Sequence, residues 1–433
     1  MCYRVIVCNI EHTSQFTDIQ SMKIRLLAVL LGVFTLCQTL FGAEITVPHL
    51  DLVSRGYKKS GEDFTIASSL EAEIAISGGY KYGFSLGLGA EIPNLGKALS
   101  YGRAEFQDLT LYPDQHEALN DRFNNQATIS IRSIEATVRE VFNMPLEISF
   151  FIGHNDKLGS GDEFQEYFGS EPIGTALRGF FYYPDGFNGD PFFRFNGAIH
   201  SIFGTGLAVK GLFGKLIPAL YIYHDISYPG NNPGGSYAPG HFSADVKLLA
   251  NGENAKFEVF LGGTYATSDD FLLRGGALAW FGSGAISFLM QAGVTQYEIG
   301  SGMKIDNWYF LMEPRLRFDN FGLYLTFFYH PVYYLNRIIY ADDTNTDTAK
   351  GNADINLRAF FGNMEKSAFE AGLEALVMLK MEKGEKAELR ISPFISTITT
   401  GLRWDFALRI NPLYFRDNKK GLMEGFIGIR TSY

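Results

Sequence analysis

The sequence predicts an all-β fold: one closed antiparallel transmembrane β-barrel of roughly 18 strands, within a range of about 14 to 20. Three observations carry this. Apolar and polar side chains alternate with period two over many segments. No run beyond residue 43 approaches the about 20 apolar residues that a helical span needs. The candidate turns alternate between short and long. Composition agrees: 38 Phe and 23 Tyr against 3 Trp, with 47 Gly and 19% charge, suit strands and tight turns.

Residues 1–21 precede Met22 and read as an upstream extension outside the mature protein. Met22-Lys23-Ile24-Arg25 is a short basic region, and Leu26 to Leu36 is an apolar run broken only by Gly32 and Thr35. Residues 22–43 therefore read as a secretory signal peptide. Cleavage is expected after Ala43, with Gly42 as the alternative because Phe41 is bulky for the minus-three position. Residues 44–60 are expected to be a periplasmic or plug segment, and 61–433 the barrel.

Cys2, Cys8 and Cys37 all fall in the removed part, so the mature chain needs no disulfide. Phe34-Thr35-Leu36 lacks the small residue that lipidation of Cys37 requires. Removal of 1–43 takes away Arg4, Lys23 and Arg25 with Glu11 and Asp18, moving the net charge from -10 to -11. That acidity excludes nucleic acid as a partner.

Residues 402–410 show the alternation best. Leu402, Trp404, Phe406, Leu408 and Ile410 make one face; Arg403, Asp405, Ala407 and Arg409 make the other. In 369–381, Phe369, Ala371, Leu373, Ala375, Val377, Leu379 and Met381 oppose Glu370, Glu374 and Lys380. The same pattern sets Ala353, Ile355, Leu357, Ala359 and Phe361 against Asp354, Asn356 and Arg358. It recurs with Trp308, Phe310, Met312, Leu316 and Phe318 against Glu313, Arg315 and Arg317, and with Phe257, Val259 and Leu261 against Lys256 and Glu258. A soluble sandwich turns its polar faces outward around a shared core, whereas a membrane barrel is apolar outside and charged inside on every strand.

Towards the N-terminus, 64–76 and 79–91 read as a hairpin around Gly78-Gly79. In 128–139 the apolar phase switches from Ile129 and Ile131 to Ile134, Ala136 and Val138, which predicts a bulge. Residues 192–213 fit one long strand or a hairpin turning at Phe203-Gly204. Pro314, Pro331 and Pro393 each remove a ladder donor and are expected at bulges or rims.

Candidate turns fall at 411–420, 398–400, 383–385, 363–366, 340–352, 319–320, 297–304, 282–284, 267–270, 251–254 and 227–240. With a periplasmic C-terminus, the four long ones are all external and the intervening ones short, as in outer-membrane barrels. The tracts 228–235 and 342–347, rich in Gly, Pro, Asn and Asp, belong in water. Trp308, Phe318, Phe321, Tyr329, Tyr333 and Tyr334 are expected to form two interfacial girdles about 25 Å apart.

The chain ends Gly425-Phe426-Ile427-Gly428-Ile429-Arg430-Thr431-Ser432-Tyr433, an alternating strand closed by an aromatic residue. In this it resembles bacterial outer-membrane β-barrel proteins of porin-like kind, although Thr431 stands where they carry a hydrophobic residue. The resemblance is at class level, over about residues 60 to 433. It implies an outer-membrane location, with lipid and the barrel-assembly machinery as partners. Oligomeric state stays open.

Arg315, Arg317, Arg358, Arg390, Arg403 and Arg409, with Glu313, Glu374, Glu388 and Asp405, fall on the polar phases of neighbouring strands and are candidate lumen-lining residues. Charges of both signs across a water-filled lumen filter solutes; structural salt-bridge ladders are the other reading. The acidic, glycine-punctuated stretch 154–169 is a candidate constriction loop, with Asp156, Asp162, Glu163 and Glu166 set opposite the arginines. It lacks EF-hand spacing. His154, His200, His224 and His330 show no zinc motif, and no nucleophile elbow or nucleotide loop occurs. No metal, cofactor or enzymatic activity is expected. The function expected is passage of small solutes by diffusion through a charged lumen. A surface adhesin on a barrel scaffold is the alternative, ahead of a fatty-acid-type transporter or a soluble periplasmic β-protein.

Overall fold

The computed structural model describes residues 44–58, 64–92, 95, 128–171, 173–176, 197–225, 242–265, 271–300, 302–330, 352–380, 387–413 and 423–431. Eighteen antiparallel strands form one closed sheet. In chain order they are β1 Glu44–Lys58, β2 Phe64–Gly78, β3 Tyr82–Ile92, β4 Thr128–Arg139, β5 Leu146–Leu158, β6 His200–Gly211, β7 Leu216–Asp225, β8 Phe242–Asn251 and β9 Ala255–Tyr265. The second half comprises β10 Phe271–Ser283, β11 Ile286–Glu298, β12 Trp308–Phe318, β13 Phe321–His330, β14 Asn352–Asn363, β15 Phe369–Lys380, β16 Glu388–Thr399, β17 Leu402–Ile410 and β18 Met423–Thr431. Each pairs with its chain neighbours, and β1 also pairs with β18, so no edge is left open.

Period-two patterning fixes which face is which. Along β17, Asp405 and Arg409 are buried while Phe406 is exposed. Along β14, Asp354, Asn356 and Arg358 are buried and Leu357 is exposed. The same inversion runs through β8 and β9, where Asp245, Lys247 and Glu258 are buried beside exposed Val246, Leu248, Val259 and Leu261. An apolar outer wall around a charged interior suits lipid outside and satisfied polar groups inside.

Residues 44–60, expected as a periplasmic or plug segment, are corrected here. Glu44–Lys58 is β1, the strand that closes the barrel against both β2 and β18. Its alternation of Asp51, Val53 and Arg55 inward with Leu52 outward was hidden by a register shift between Thr46 and His49. The phase switch in β4 does mark a bulge: the register jumps between Gly87 and Leu88, leaving Arg132 as the extra residue. Among the described residues of 192–213 there is one strand, His200–Gly211, which runs through 203–204 without a hairpin. Pro314 and Pro393 sit at neither bulge nor rim. They lie mid-strand, where pairing lapses on one side without a shift of register, between β12 and β13 and between β16 and β17. Pro331 lies outside the described residues.

Short turns at 79–81, 140–145, 212–215, 252–254, 284–285, 319–320, 364–368 and 400–401 share one end of the barrel with the start of β1 and the end of β18. The long connections 93–127, 159–199, 226–241, 331–351 and 411–422 are at the other. Trp308 and Phe318 are exposed at opposite ends of β12. Ten residue steps at about 3.3 Å, tilted by about 40°, set them roughly 25 Å apart along the barrel axis. Phe318 stacks on Phe321, which packs against Phe361, at the short-turn end. Tyr333 and Tyr334 lie outside the described residues.

Candidate functional site

Between β5 and β6 the chain folds back into the barrel, and a bulge prepares its entry. Glu147, Ser149 and Phe151 are buried at odd positions; the register shift between His154 and Asp156 moves the inward phase to Asp156 and Leu158. Gly159 and Gly161 follow with φ of 74° and 79°, left-handed values that glycine accommodates without a Cβ clash. A short helix, α1, spans Glu163–Phe168. Leu158, Phe164, Ile173 and Ile199 are at most 1% exposed and join Leu249, Leu278, Leu289, Leu311 and Phe328 of the wall in one apolar cluster. Each such side chain contributes about 1.5–3 kcal/mol over leaving it in water.

Polar catches complete the seat. Glu258 of β9 accepts from the N–H of Gly159 at 2.6 Å and of Gly161 at 3.4 Å. Gln291 of β11 donates to the carbonyls of Gly159 at 2.5 Å and Gly197 at 2.8 Å, and accepts from Tyr309 at 2.8 Å. Glu313 of β12 accepts from Thr175 Oγ1 at 2.6 Å and the Ala176 N–H at 3.0 Å. Arg315 donates to the Gly174 carbonyl at 2.5 Å.

The candidate constriction acids divide. Asp156 and Glu163, expected to face the arginines, instead meet two buried lysines on their own side of the barrel. Lys247 of β8 bridges both, and Lys210 of β6 reaches Glu163 at 3.1 Å and the Tyr167 hydroxyl at 2.8 Å. Tyr221 donates to Asp156 as well. Asp162 is half-exposed, with Lys157 3.5 Å away. Glu166 lies on the exposed face of α1. Burial by surrounding protein pushes its carboxyl up, Lys210 opposing and Glu163 adding to the rise.

On the remaining wall, register sets inward residues in rows, with arginines beside them. Gly322, Phe360, Gly372, Phe394, Ala407, Phe426 and Arg55 stand directly opposite one another across β13 to β18 and β1. Small and aromatic residues thus alternate, and guanidinium groups lie on the rings: Arg358 is 4.5 Å from the Phe394 centroid and Arg409 4.7 Å from that of Phe426. Arg358 also binds Glu374 at 2.7 Å and Glu370. Arg403 binds Asp405 at 2.8 Å, Asp405 takes Arg430 at 2.8 Å, and Glu424 is shared between Arg409 at 3.1 Å and Arg55. Arg315 binds Glu313 at 2.6 Å. Arg317 is exposed at the short-turn end of β12, and Arg390 is half-buried on β16. The side chain of Glu388 lies outside the described residues.

Sequence reasoning missed Lys210, Lys247, Gln291, Arg430, Arg55 and Glu424, and the buried Arg274, which donates to Asp245 at 2.6 Å and Tyr223 at 2.9 Å. For Lys247 the signal was legible, since Asp245 and Lys247 share a phase opposite Val246 and Leu248. Among the described residues no group of three or more His, Cys, Asp or Glu is placed to hold a metal ion.

No family model matches the sequence, and no curated protein matches it. Solved structures do. OpdL of Pseudomonas aeruginosa is 11% identical with a TM-score of 0.50, over 90% of this chain and 98% of that one. OccAB4 of Acinetobacter baumannii is 10% identical with a TM-score of 0.50, over 90% and 97%. A mutant porin of Rh. blastica gives 0.44 at 11% identity. The likeness is one of fold. Closure of 18 strands, an apolar outer wall and a charged interior give this chain a transmembrane β-barrel fold, which it shares with OpdL and OccAB4.

Proposed function

We propose that the chain is an outer-membrane pore through which small solutes diffuse down their gradient, without cofactor or catalysis. One observation supports this above the others: a chain segment is folded into a closed barrel and fastened to one wall, while the opposite wall carries ordered ion pairs. Such an arrangement narrows the passage to one side and sets its field by side-chain charge. Lining roles for Arg315, Arg317, Arg358, Arg390, Arg403, Arg409, Glu313, Glu374, Glu388 and Asp405 belong to this reading. So does a constriction role for 154–169, with Asp162 and Glu166 as its solvent-facing acids and Asp156 and Glu163 as its anchors.

The arginines of the rows are largely compensated. Arg358 has two carboxylates, and Arg403 and Arg409 have at least one each. Exposed Glu166 and the net charge of -10 then tilt the passage towards cations. Purified protein in planar bilayers is expected to give discrete, stable conductance steps, with a reversal potential in a potassium chloride gradient favouring potassium. Silent membranes with correctly folded protein would sink the pore reading; chloride preference would sink its charge assignment.

A further inference from the structure

The wall residues that hold the inward segment form a line of their own. Leu249, Glu258, Leu278, Gln291, Leu311 and Phe328 stand directly opposite one another across β8 to β13. All are at most 2% exposed. The line alternates: apolar residues carry the loop's Leu158, Phe164, Ile173 and Ile199, and Glu258 and Gln291 seize its backbone. Gly159 and Gly161 present two N–H groups to one carboxylate, and backbone turns of this kind are anion-binding concavities. Neither glycine tolerates a side chain: a Cβ on Gly159 would lie 2.8 Å from Ile199, and one on Gly161 2.9 Å from Ile173.

We propose that Glu258 is a positioning residue for the passage: without facing it, the carboxylate holds the Gly159–Gly161 turn, and so α1 with its exposed Glu166, at one distance from the arginine rows. Gln291, oriented by Tyr309, does the same for the two carbonyls at the segment's ends. The inference rests on the pore reading for its consequence, not for its geometry. The described part of the segment is held at Gly159, Gly161, Ala176 and Gly197, so the wild-type pore is expected to hold a single open level. A buried carboxyl group whose two oxygens each take one backbone N–H fits that turn in shape, whereas E258L leaves both N–H groups unpaired.

Two measurements on the full chain test this, using E258L and E258Q, each checked as folded by heat-modifiable mobility. In bilayers, E258L is expected to leave the single level for sublevels about tenfold more often than wild type, the scale of one lost charge-assisted hydrogen bond. E258Q, which keeps one acceptor, is expected to fall between them. Amide exchange in 157–164 is expected to speed up in the same order. A folded E258L with the wild-type single level and wild-type exchange overturns the inference, and E258Q decides it should E258L fail to insert. A silent wild type whose exchange still follows this order removes the pore reading and leaves the anchoring role of Glu258 standing.

Discussion

The two walls of this barrel bury their charges by different means. From β6 to β13 the inward side chains are covered by a segment of the chain itself: lysines, amides and carboxylates meet loop backbone or α1. From β14 through β18 to β1 the recorded partners of the arginines are acids on neighbouring strands and the Phe rings beneath them. The first wall is a binding surface for its own loop, and its charges specify a position. The second is a self-satisfied ladder, and its charges set a field. Lesions on the two sides are therefore expected to have different signatures.

The largest effect is expected at Lys247, which joins an acid of β5 to an acid of α1. Its side chain is 1% exposed and bridges Asp156 to Glu163. Lys247→Met leaves buried Asp156 without its cation, with the Tyr221 hydroxyl on it, while Glu163 keeps Lys210; the expected cost is about 3–5 kcal/mol. The folded form is expected to lose heat resistance, and the open pore to gain conductance as α1 leaves the wall. An unchanged conductance with lowered thermal stability would mean that the lysine holds the barrel and not the loop, erasing the distinction between the walls.

Arg358→Met probes the other side. Two carboxylates lose their partner, yet Glu374 still feels the charge of Arg403, so the expected cost is smaller, about 1.5–3 kcal/mol. Conductance level is expected to hold while the reversal potential moves further towards potassium, because Glu370 and Glu374 are released from compensation. A change of level without a change of selectivity would reverse the assignment of roles.

How much of this was written in the sequence differs between the walls in the same way. The ladder was legible because its charges sit on strict period-two phases, as in Arg403-Trp404-Asp405-Phe406 and Arg358 with Glu374, and alternation is a local signal. Strand number and the placing of long connections followed from the same signal. The clamp was only half legible. Residues 154–169 stood out by composition, but Asp156 reaches Lys247 across 91 positions and Glu258 reaches Gly159 across 99, and nothing local encodes such partners. β1 was missed because a shift of register interrupts its alternation, and Pro314 and Pro393 were misplaced because a closed sheet absorbs one lost donor without bending.

The smallest expected effect sharpens the comparison most, because it concerns a candidate acid that the loop turns away from its anchors. Burial raises the proton affinity of Glu166 above that of an ordinary carboxylate, with Lys210 pulling the other way. Its folded form therefore takes up a proton at a higher pH than the unfolded chain does. Stability from this group is fully present below the ordinary carboxylate range and is lost as pH rises through the raised value. The charge on the passage runs oppositely: on acidification Glu166 is expected to neutralise before the other exposed acids, and potassium preference to fall with it. The change expected is roughly two- to fivefold in permeability ratio, since solvent screens a partly exposed charge. Glu166→Gln is expected to remove that early inflection and leave the conductance level alone, because neither Lys210 nor Lys247 is bonded to it. If E166Q instead opens sublevels, the acid belongs to the clamp, and the division between a positioning wall and a field-setting passage is drawn in the wrong place.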